Sequence, residues 1–441
     1  MTHNPLLYPA EEARKTMMSV WADMAETTLA WQKLWVSGMS FWGMPSLVAE
    51  DAMAVLDALA QMARRMGKET FKPDFGISRV RTPDGMVDVR QQVVAESPLG
   101  PLLRFARNTA RKDPKILIVS PMSGNHATLL RDTIAGLLQE HDVYITDWRN
   151  ARDIPLEEGD FGMEDFITHT KSFIRHLGPD VHVIGISQST ITALAAVARI
   201  AEETPEMEPV SLTLMVGPVD TRVSENSLAR MVKEHSQEWF AENLIAEVPG
   251  RYAGAGRLVY PGFLQLAGYM AKHFPNYMTS QASLFAGLCA GDAARVRDLK
   301  VFLDECQAVC DLPGKFYLET LDKVFRRADL AEGRLMHAGE KVNPSAITKT
   351  SLLTVEAGED ELVSKGQTFA AHALCCGVAS GAKHHIFLPK AGHYGAVSGS
   401  IWRRDVLPQL VGFIRRSSGL GDDAKQAKKA RVSLPEHTLR P

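Results

Sequence analysis

Between residues 10 and 70 the apolar side chains recur at helical intervals. Met17, Trp21, Met24, Thr28, Trp31, Trp35, Met39 and Trp42 follow one another in steps of three or four and lay a Met and aromatic stripe along one face. Pro45 interrupts this pattern, and residues 47–66 predict a second helix. The stripe is expected to pack on the protein's own body or on a partner subunit, as in a homo-oligomer. The alternative is adsorption to an apolar surface, because Trp combines an apolar body with a polar edge.

Beyond residue 70 the period changes. Short runs at 87–94, 102–106, 116–119, 143–146, 181–186, 212–216, 352–355 and 385–388 read as strands. Several are apolar without alternation, as expected of strands covered on both faces of a mainly parallel sheet. Helical patterns at 127–139, 163–176 and 191–202 separate them and predict a doubly wound α/β fold. The alternation fails between residues 223 and 343, where Trp239, Phe240, Tyr260, Phe263, Phe316 and Tyr317 lie in helix-like sequence too long for a loop. The expected organisation is an N-terminal helical segment (1–70), a core in two parts (71–222 and 344–416), an inserted helical lid (223–343) and a basic flexible tail (417–441) carrying Lys425, Lys428, Lys429 and Arg431.

Charge changes this picture little. Lys and Arg total 49 against 52 Asp and Glu in 441 residues, so no basic excess points to nucleic acid. The first thirty residues contain Glu11, Glu12, Asp23 and Glu26 without an apolar signal core, and no stretch is long enough to span a membrane, so a cytoplasmic protein is expected. Five scattered cysteines do not form a disulfide framework. Cys306 and Cys310 could share a helix face, but Cys375-Cys376 and His384-His385 are immediate neighbours rather than ligand-spaced pairs, and no metal site is assigned.

The strongest chemical signal is Val181-His182-Val183-Ile184-Gly185-Ile186-Ser187-Gln188-Ser189-Thr190. A buried strand runs into a helix with Ser187 at the junction and small residues two positions to either side, as in a nucleophile elbow. Ser189 replaces the second Gly of that motif, and a Ser at such a junction also serves as a plain helix cap. Two later strands supply partners in the order that an α/β-hydrolase site needs. One runs into Glu356-Ala357-Gly358-Glu359-Asp360-Glu361, the other into Gly392-His393-Tyr394-Gly395. Asp360 is the expected orienting acid, with Glu356, Glu359, Glu361 and Asp220 as rivals. His393 is the expected base, although it could instead cap the following helix. The backbone N–H of Gln188, with that of Met122 or Ser123, is the expected oxyanion hole; His126 is near enough in sequence to line the site. This chemistry needs no metal or organic cofactor.

Longer segments carry a resemblance. Pro121-Met122-Ser123-Gly124 with His126-Ala127-Thr128-Leu129-Leu130 is one, and Asp142-Val143-Tyr144-Ile145-Thr146-Asp147-Trp148 another. Gly217-Pro218-Val219-Asp220-Thr221-Arg222, Val259-Tyr260-Pro261-Gly262-Phe263-Leu264-Gln265-Leu266 and Gly392-His393-Tyr394-Gly395 complete the set. Together they resemble the intracellular polyhydroxyalkanoate (polyhydroxybutyrate) depolymerases. The resemblance implies cleavage of stored poly(3-hydroxybutyrate) at a granule surface, giving hydroxybutyrate or short oligomers. Members of the family often carry Cys at the elbow, where this chain has Ser187. A thioester-using polyester synthase, a general cytoplasmic carboxylesterase and a non-catalytic granule-coat protein are the alternatives. Ser187 argues against the first and the intact Ser–Asp–His order against the last.

Overall fold

The protein, here a computed structural model, is described over residues 2–41, 50–272 and 274–420. Two long helices come first, α1 (Leu7–Phe41) and α2 (Glu50–Gly67). A sheet then begins with β1 (Arg79–Thr82), β2 (Gly85–Ala95) and β3 (Leu102–Arg107). It continues through β4 (Lys115–Val119), helix α3 (Arg131–Leu137), β5 (Asp142–Thr146), α4 (Met163–Leu177), β6 (Val181–Ile186), α5 (Ser189–Glu203) and β7 (Ser211–Met215). Next come α6 (Ser227–Glu234), α7 (Gln237–Leu244), β8 (Ala246–Glu247) and β9 (Leu258–Tyr260). Three helices follow, α8 (Gly262–Lys272), α9 (Phe274–Cys289) and α10 (Ala293–Gln307). The chain returns through β10 (Leu312–Pro313) and α11 (Gly314–Glu319). After a small hairpin of β11 (Met336–His337) and β12 (Glu340–Lys341), the sheet is completed by β13 (Ser351–Ala357) and β14 (Lys383–Leu388). Short helices α12 (Ala371–Leu374) and α13 (Gly399–Ile401) precede the closing α14 (Leu407–Ser417).

Nine strands form the main sheet in the order β1-β2-β3-β5-β4-β6-β7-β13-β14. The first three are antiparallel to their neighbours, and β5 through β14 pair in parallel. Every strand expected from sequence is present. The added edge strand β1, Arg-Val-Arg-Thr, has too few apolar residues to announce itself. The inner parallel strands β4, β5, β6, β7 and β13 are buried along nearly their whole length because both faces are covered, whereas the edge strand β14 is only partly buried. In β4, Leu117 and Val119 join one core with Phe166 and Ile174 of α4 and Leu194 of α5. Ile116 and Ile118 point the other way, into a second core with Ile134 of α3 and Phe413 of α14.

The chain divides into two compact units. Among the described residues, the first comprises 2–3, 74–260 and 310–420; the second comprises 4–41, 50–73, 261–272 and 274–309. The stretch expected as one inserted lid is therefore shared, since 223–260 and 310–343 stay with the sheet. Antiparallel pairing of β9 with β10 brings together the points where the chain leaves the first unit and rejoins it. Arg257 is buried there, and its guanidinium donates to the carbonyls of Ile154, Pro155 and Gly159. Burial lowers its pKa.

Within the second unit, α1 and α2 meet through small residues. Ala25 and Leu29 pack on Ala60, flanked by Met53 and Leu56. A Cβ on Gly67 would lie 2.8 Å from the Ser19 nitrogen, so only Gly lets the end of α2 approach α1 this closely. Arg64 pairs with Asp23 and Glu26 across the hairpin, and Arg65 pairs with Asp304 of α10. The Met and Trp stripe faces elsewhere. Met17, Trp21, Met24, Trp31 and Trp35 are 44% to 70% exposed. Within its own unit the stripe is not packed: alanines allow the tight helix contact, and the large side chains are left outside it, which leaves a partner subunit or an apolar surface to cover them. Trp42, the Met39 side chain, Pro45, the start of the expected 47–66 helix and the basic residues after 420 lie outside the described residues.

Candidate active site

Ser187 directly follows β6 and has φ +55°, a left-handed conformation that a non-Gly residue adopts at an energetic cost. The surroundings hold it there. Its N–H donates to the Met215 carbonyl at 2.8 Å, and its carbonyl accepts from the Thr190 hydroxyl at 2.8 Å. The flanking small residues have distinct reasons. A Cβ on Gly185 would stand 2.9 Å from the Ala193 Cβ, so Gly is needed where the helix passes the strand. Ser189, in place of the motif's second Gly, is buried and useful. Its hydroxyl lies 2.5 Å from the Val119 carbonyl and 2.8 Å from the Ile186 carbonyl, and accepts from the Ile186 N–H. It ties the start of α5 to the carboxyl ends of β4 and β6.

The structure brings Ser187, His393 and Asp360 together. His393 Nε2 is 3.0 Å from Ser187 Oγ, and its Nδ1 is 2.7 Å from Asp360 Oδ2. His393 opens a 3₁₀ turn just after β14, preceded by Gly392. Asp360 lies in the loop after β13, with its side chain 1% exposed. Its second oxygen accepts from the N–H groups of Leu362 and Val363 at 2.8 and 2.9 Å. Those bonds fix the carboxylate and leave Oδ2 aimed at the imidazole. The arrangement matches a serine nucleophile, a base and an orienting acid.

The rival acids are engaged elsewhere. Glu356 is buried and accepts from the N–H groups of Gly366 and Phe369, closing the loop after β13. Asp220 is forked by Arg222 at 2.8 Å through both Nε and Nη2, and that hydrogen bonding holds its carboxyl below the ordinary range. Glu359 and Glu361 are exposed, on either side of Asp360.

Gln188 caps α5, and Met122 and Ser123 lie in the loop after β4. Val119 of β4 pairs with Gly185 of β6, so this loop opens beside the elbow. The Ser120 hydroxyl donates to the Thr146 carbonyl at 2.6 Å, the Trp148 indole N–H donates to the Ser120 carbonyl, and the Cys310 N–H donates to the Gly124 carbonyl at 2.7 Å. Burial pushes the Cys310 thiol up to about 12, leaving it a packing group. Among the described residues, no three His, Cys, Asp or Glu side chains are grouped to hold a metal ion.

Several contributors were not foreseeable. Gln188 Nε2 donates to Thr320 Oγ1 at 3.3 Å, and Thr320 begins a π-helical turn, a feature that often marks functional sites. Thr368 holds the Gly217 backbone by accepting from its N–H and donating to its carbonyl, both at 2.9 Å. Thr320 lies 132 positions and Thr368 151 positions from the residue it touches. Neither sits in a motif, so no local signal existed.

A strained Ser at a strand–helix elbow, followed in the chain by Asp and His at the ends of later strands of a mainly parallel sheet, defines the α/β-hydrolase class. Residues 216–418, a little under half of the chain, match the family described as PHB de-polymerase C-terminus. Asp360 and His393 fall within the matched segment and Ser187 precedes it. No curated protein matches the chain. It is similar to a candidate lipase of Acinetobacter baumannii AYE at 12% identity, with 76% of this chain and 93% of the other covered and a TM-score of 0.43. It is also similar to the enol-lactonase of Burkholderia xenovorans LB400 at 13% identity, with 76% and 99% covered and a TM-score of 0.39. A thermophilic esterase of Thermogutta terrifontis is 12% identical, with 80% and 100% covered and a TM-score of 0.38. Family match and fold support an ester hydrolase. No helix among the described residues is long and apolar enough to cross a membrane.

Proposed function

We propose that the protein hydrolyses ester bonds of poly(3-hydroxybutyrate), or of a similar short-side-chain polyester, at the surface of cytoplasmic storage granules. The observation that carries the chemistry is the unbroken chain Ser187 Oγ–His393–Asp360, with links of 3.0 and 2.7 Å. The family match of residues 216–418 supports a polyester as the substrate. Ser187 Oγ attacks the ester carbonyl while its proton passes to His393 Nε2, a distance suited to general-base transfer. The carbonyl oxygen becomes an oxyanion, held by the N–H groups of Gln188 and of Met122 or Ser123. As the tetrahedral species collapses, the ester C–O bond breaks and His393 protonates the departing alkoxide. Water then gives a proton to His393 and attacks the acyl-enzyme. Collapse releases the carboxylic acid and returns the proton to Ser187. Asp360 keeps the imidazole in the required tautomer and stabilises its charged form.

The test is release of 3-hydroxybutyrate or its oligomers from amorphous granules by the purified protein, beside Ser187→Ala. The expected result is release by the parent and a loss of about a thousandfold or more in the folded variant. Activity on a soluble butyrate ester with none on granules would reject the polymer; equal release by both proteins would remove Ser187 from the mechanism.

A further inference from the structure

The residue after the nucleophile carries two hydrogen-bonding groups with different fates. The Gln188 backbone N–H, at the start of α5, donates to no protein group among the described residues, which leaves it free to face an oxyanion. The side-chain amide is tied down. Its Nε2 donates to Thr320 Oγ1 at 3.3 Å, whereas Oε1 is buried and has no hydrogen-bond partner among the described residues. Thr320 is thus the amide's single anchor there, whichever way the amide is turned. Without it both polar atoms of the amide would be unpaired, a cost that the side chain relieves by moving.

Thr320 is well placed to act as an anchor, because the segment that carries it is fixed on both sides. Thr320 is 5% exposed. Its N–H donates to the carbonyls of both Phe316 and Tyr317, where α11 gives way to the π-helical turn Thr320–Arg326. Just before the turn, Glu319 Oε2 accepts from the Met163 N–H at 2.7 Å, at the start of α4. Within it, the Val324 carbonyl accepts from the Thr221 hydroxyl at 2.7 Å, in the loop after β7. At its end, Arg326 Nη2 donates to the carbonyls of Val232 and His235 at 3.0 and 2.8 Å. The other side of the Gln188 N–H is held too. It shares a peptide plane with the Ser187 carbonyl, which accepts from the Thr190 hydroxyl at 2.8 Å. One end of that plane is therefore set by α5. The Gln188 Cα at the other end is braced by a side chain that reaches the π turn.

We infer that Thr320 is a positioning residue for the oxyanion hole: it holds the Gln188 amide, and through it the Gln188 backbone, so that the N–H points at the developing oxyanion. The inference rests on the ester-hydrolase reading of Ser187, and it adds to that site a residue 132 positions from its partner. Removing an oxyanion donor outright costs roughly a hundredfold to a thousandfold in kcat. Loss of Thr320 leaves the donor present but less well aimed, so its effect is smaller. The 3.3 Å bond, at the long end of the ordinary range, points the same way. A donor aimed slightly wide weakens binding of the transition state and spares binding of the substrate.

The experiment follows hydrolysis of p-nitrophenyl butyrate by the full chain, for the parent, Thr320→Val, Thr320→Ser, Gln188→Met and the double variant Thr320→Val with Gln188→Met. Val removes the hydroxyl and keeps the branched shape; Ser keeps the hydroxyl and removes the methyl group. Thr320→Val is expected to lower kcat about tenfold with KM within about twofold of the parent's. Thr320→Ser is expected to keep at least about a third of the parental kcat. Gln188→Met is expected to lose about as much as Thr320→Val, and the double variant no more than either alone, because the two side chains form one link. Full kcat in Thr320→Val overturns the inference. So does a Thr320→Ser variant as slow as Thr320→Val, which assigns the loss to packing of the methyl group. Losses that multiply in the double variant place the effect of Thr320 outside Gln188 and also overturn it, as does a rise in KM without a fall in kcat. Hydrolysis missing from the parent, or undiminished by Ser187→Ala, removes the hydrolase reading and the inference with it.

Discussion

Asp360 and Asp220 separate function from structure among the acidic side chains. Each follows a strand of the sheet, and each lies within the matched segment 216–418. Their partners differ: Asp360 reaches His393, whereas Asp220 is forked by Arg222, which also pairs with Glu332. Asp360→Asn is therefore expected to lower kcat on a soluble ester roughly a thousandfold, through loss of the imidazole's orientation and charge stabilisation. Asp220→Asn, which loosens the pairing of a buried carboxylate with a half-exposed arginine remote from the triad, is expected to change kcat by less than about threefold. Steady-state rates at neutral pH decide between them; the reverse ranking would move the orienting acid to Asp220. Sequence order brought Ser187, Asp360 and His393 forward together, because a triad on this fold constrains order and strand ends. It favoured Asp360 but left Glu356 as a rival, since the choice depends on which backbone N–H groups each carboxylate accepts. The Ser at 189 read as a departure from the motif until its hydroxyl was seen to tie Ile186 to Val119.

The elbow shows how elements rather than single residues hold the nucleophile. β7 is followed by Val216 at φ +44°, an uncommon conformation for a β-branched residue, and Gly217 then passes under the first turn of α5. A Cβ at 217 would fall 2.0 Å from Thr190 Oγ1, and it is the Thr190 hydroxyl that anchors the Ser187 carbonyl. Gly217→Ala should therefore force the strand end and the helix start apart. A cost of about 1–3 kcal/mol in stability is expected, as for other overpacked sites. The fall in kcat on a soluble ester should exceed any change in KM, because the nucleophile is displaced while distant contacts are kept. Denaturant unfolding and soluble-ester kinetics on the same preparation check both. A variant as stable and active as the parent would show that the turn relaxes around the methyl group. The strands and helices of the sheet were legible from their apolar runs. The division of 223–343 between two units was not, because both parts are apolar helix and aromatic sequence, and only pairing such as β9 with β10 fixes where each part belongs.

Across the whole sheet, two buried histidines lie at the ends of strands away from the chemistry. Ser187, Asp360 and His393 follow the carboxyl ends of strands, whereas His141 just precedes β5 and His182 is the second residue of β6. Burial pushes both of these histidines down to about 4. His182 is held neutral between the hydroxyls of Ser211 and Ser418, at 2.8 and 2.9 Å. In the unfolded chain each titrates near its ordinary value of about 6.5. Between roughly pH 6.5 and 4 the unfolded chain thus binds protons that the folded one refuses, so stability is highest above this window and falls as pH drops through it. Each buried histidine contributes a slope of roughly 1 kcal/mol per pH unit there. Gln at position 182 cannot charge and can still bond both serines. Urea unfolding at pH 7, 6 and 5 should therefore show the parent losing stability more steeply than His182→Gln, by close to one proton's worth of slope. Parallel pH profiles for the two proteins would mean that His182 takes up its proton without leaving the fold, and that the acid sensitivity lies elsewhere.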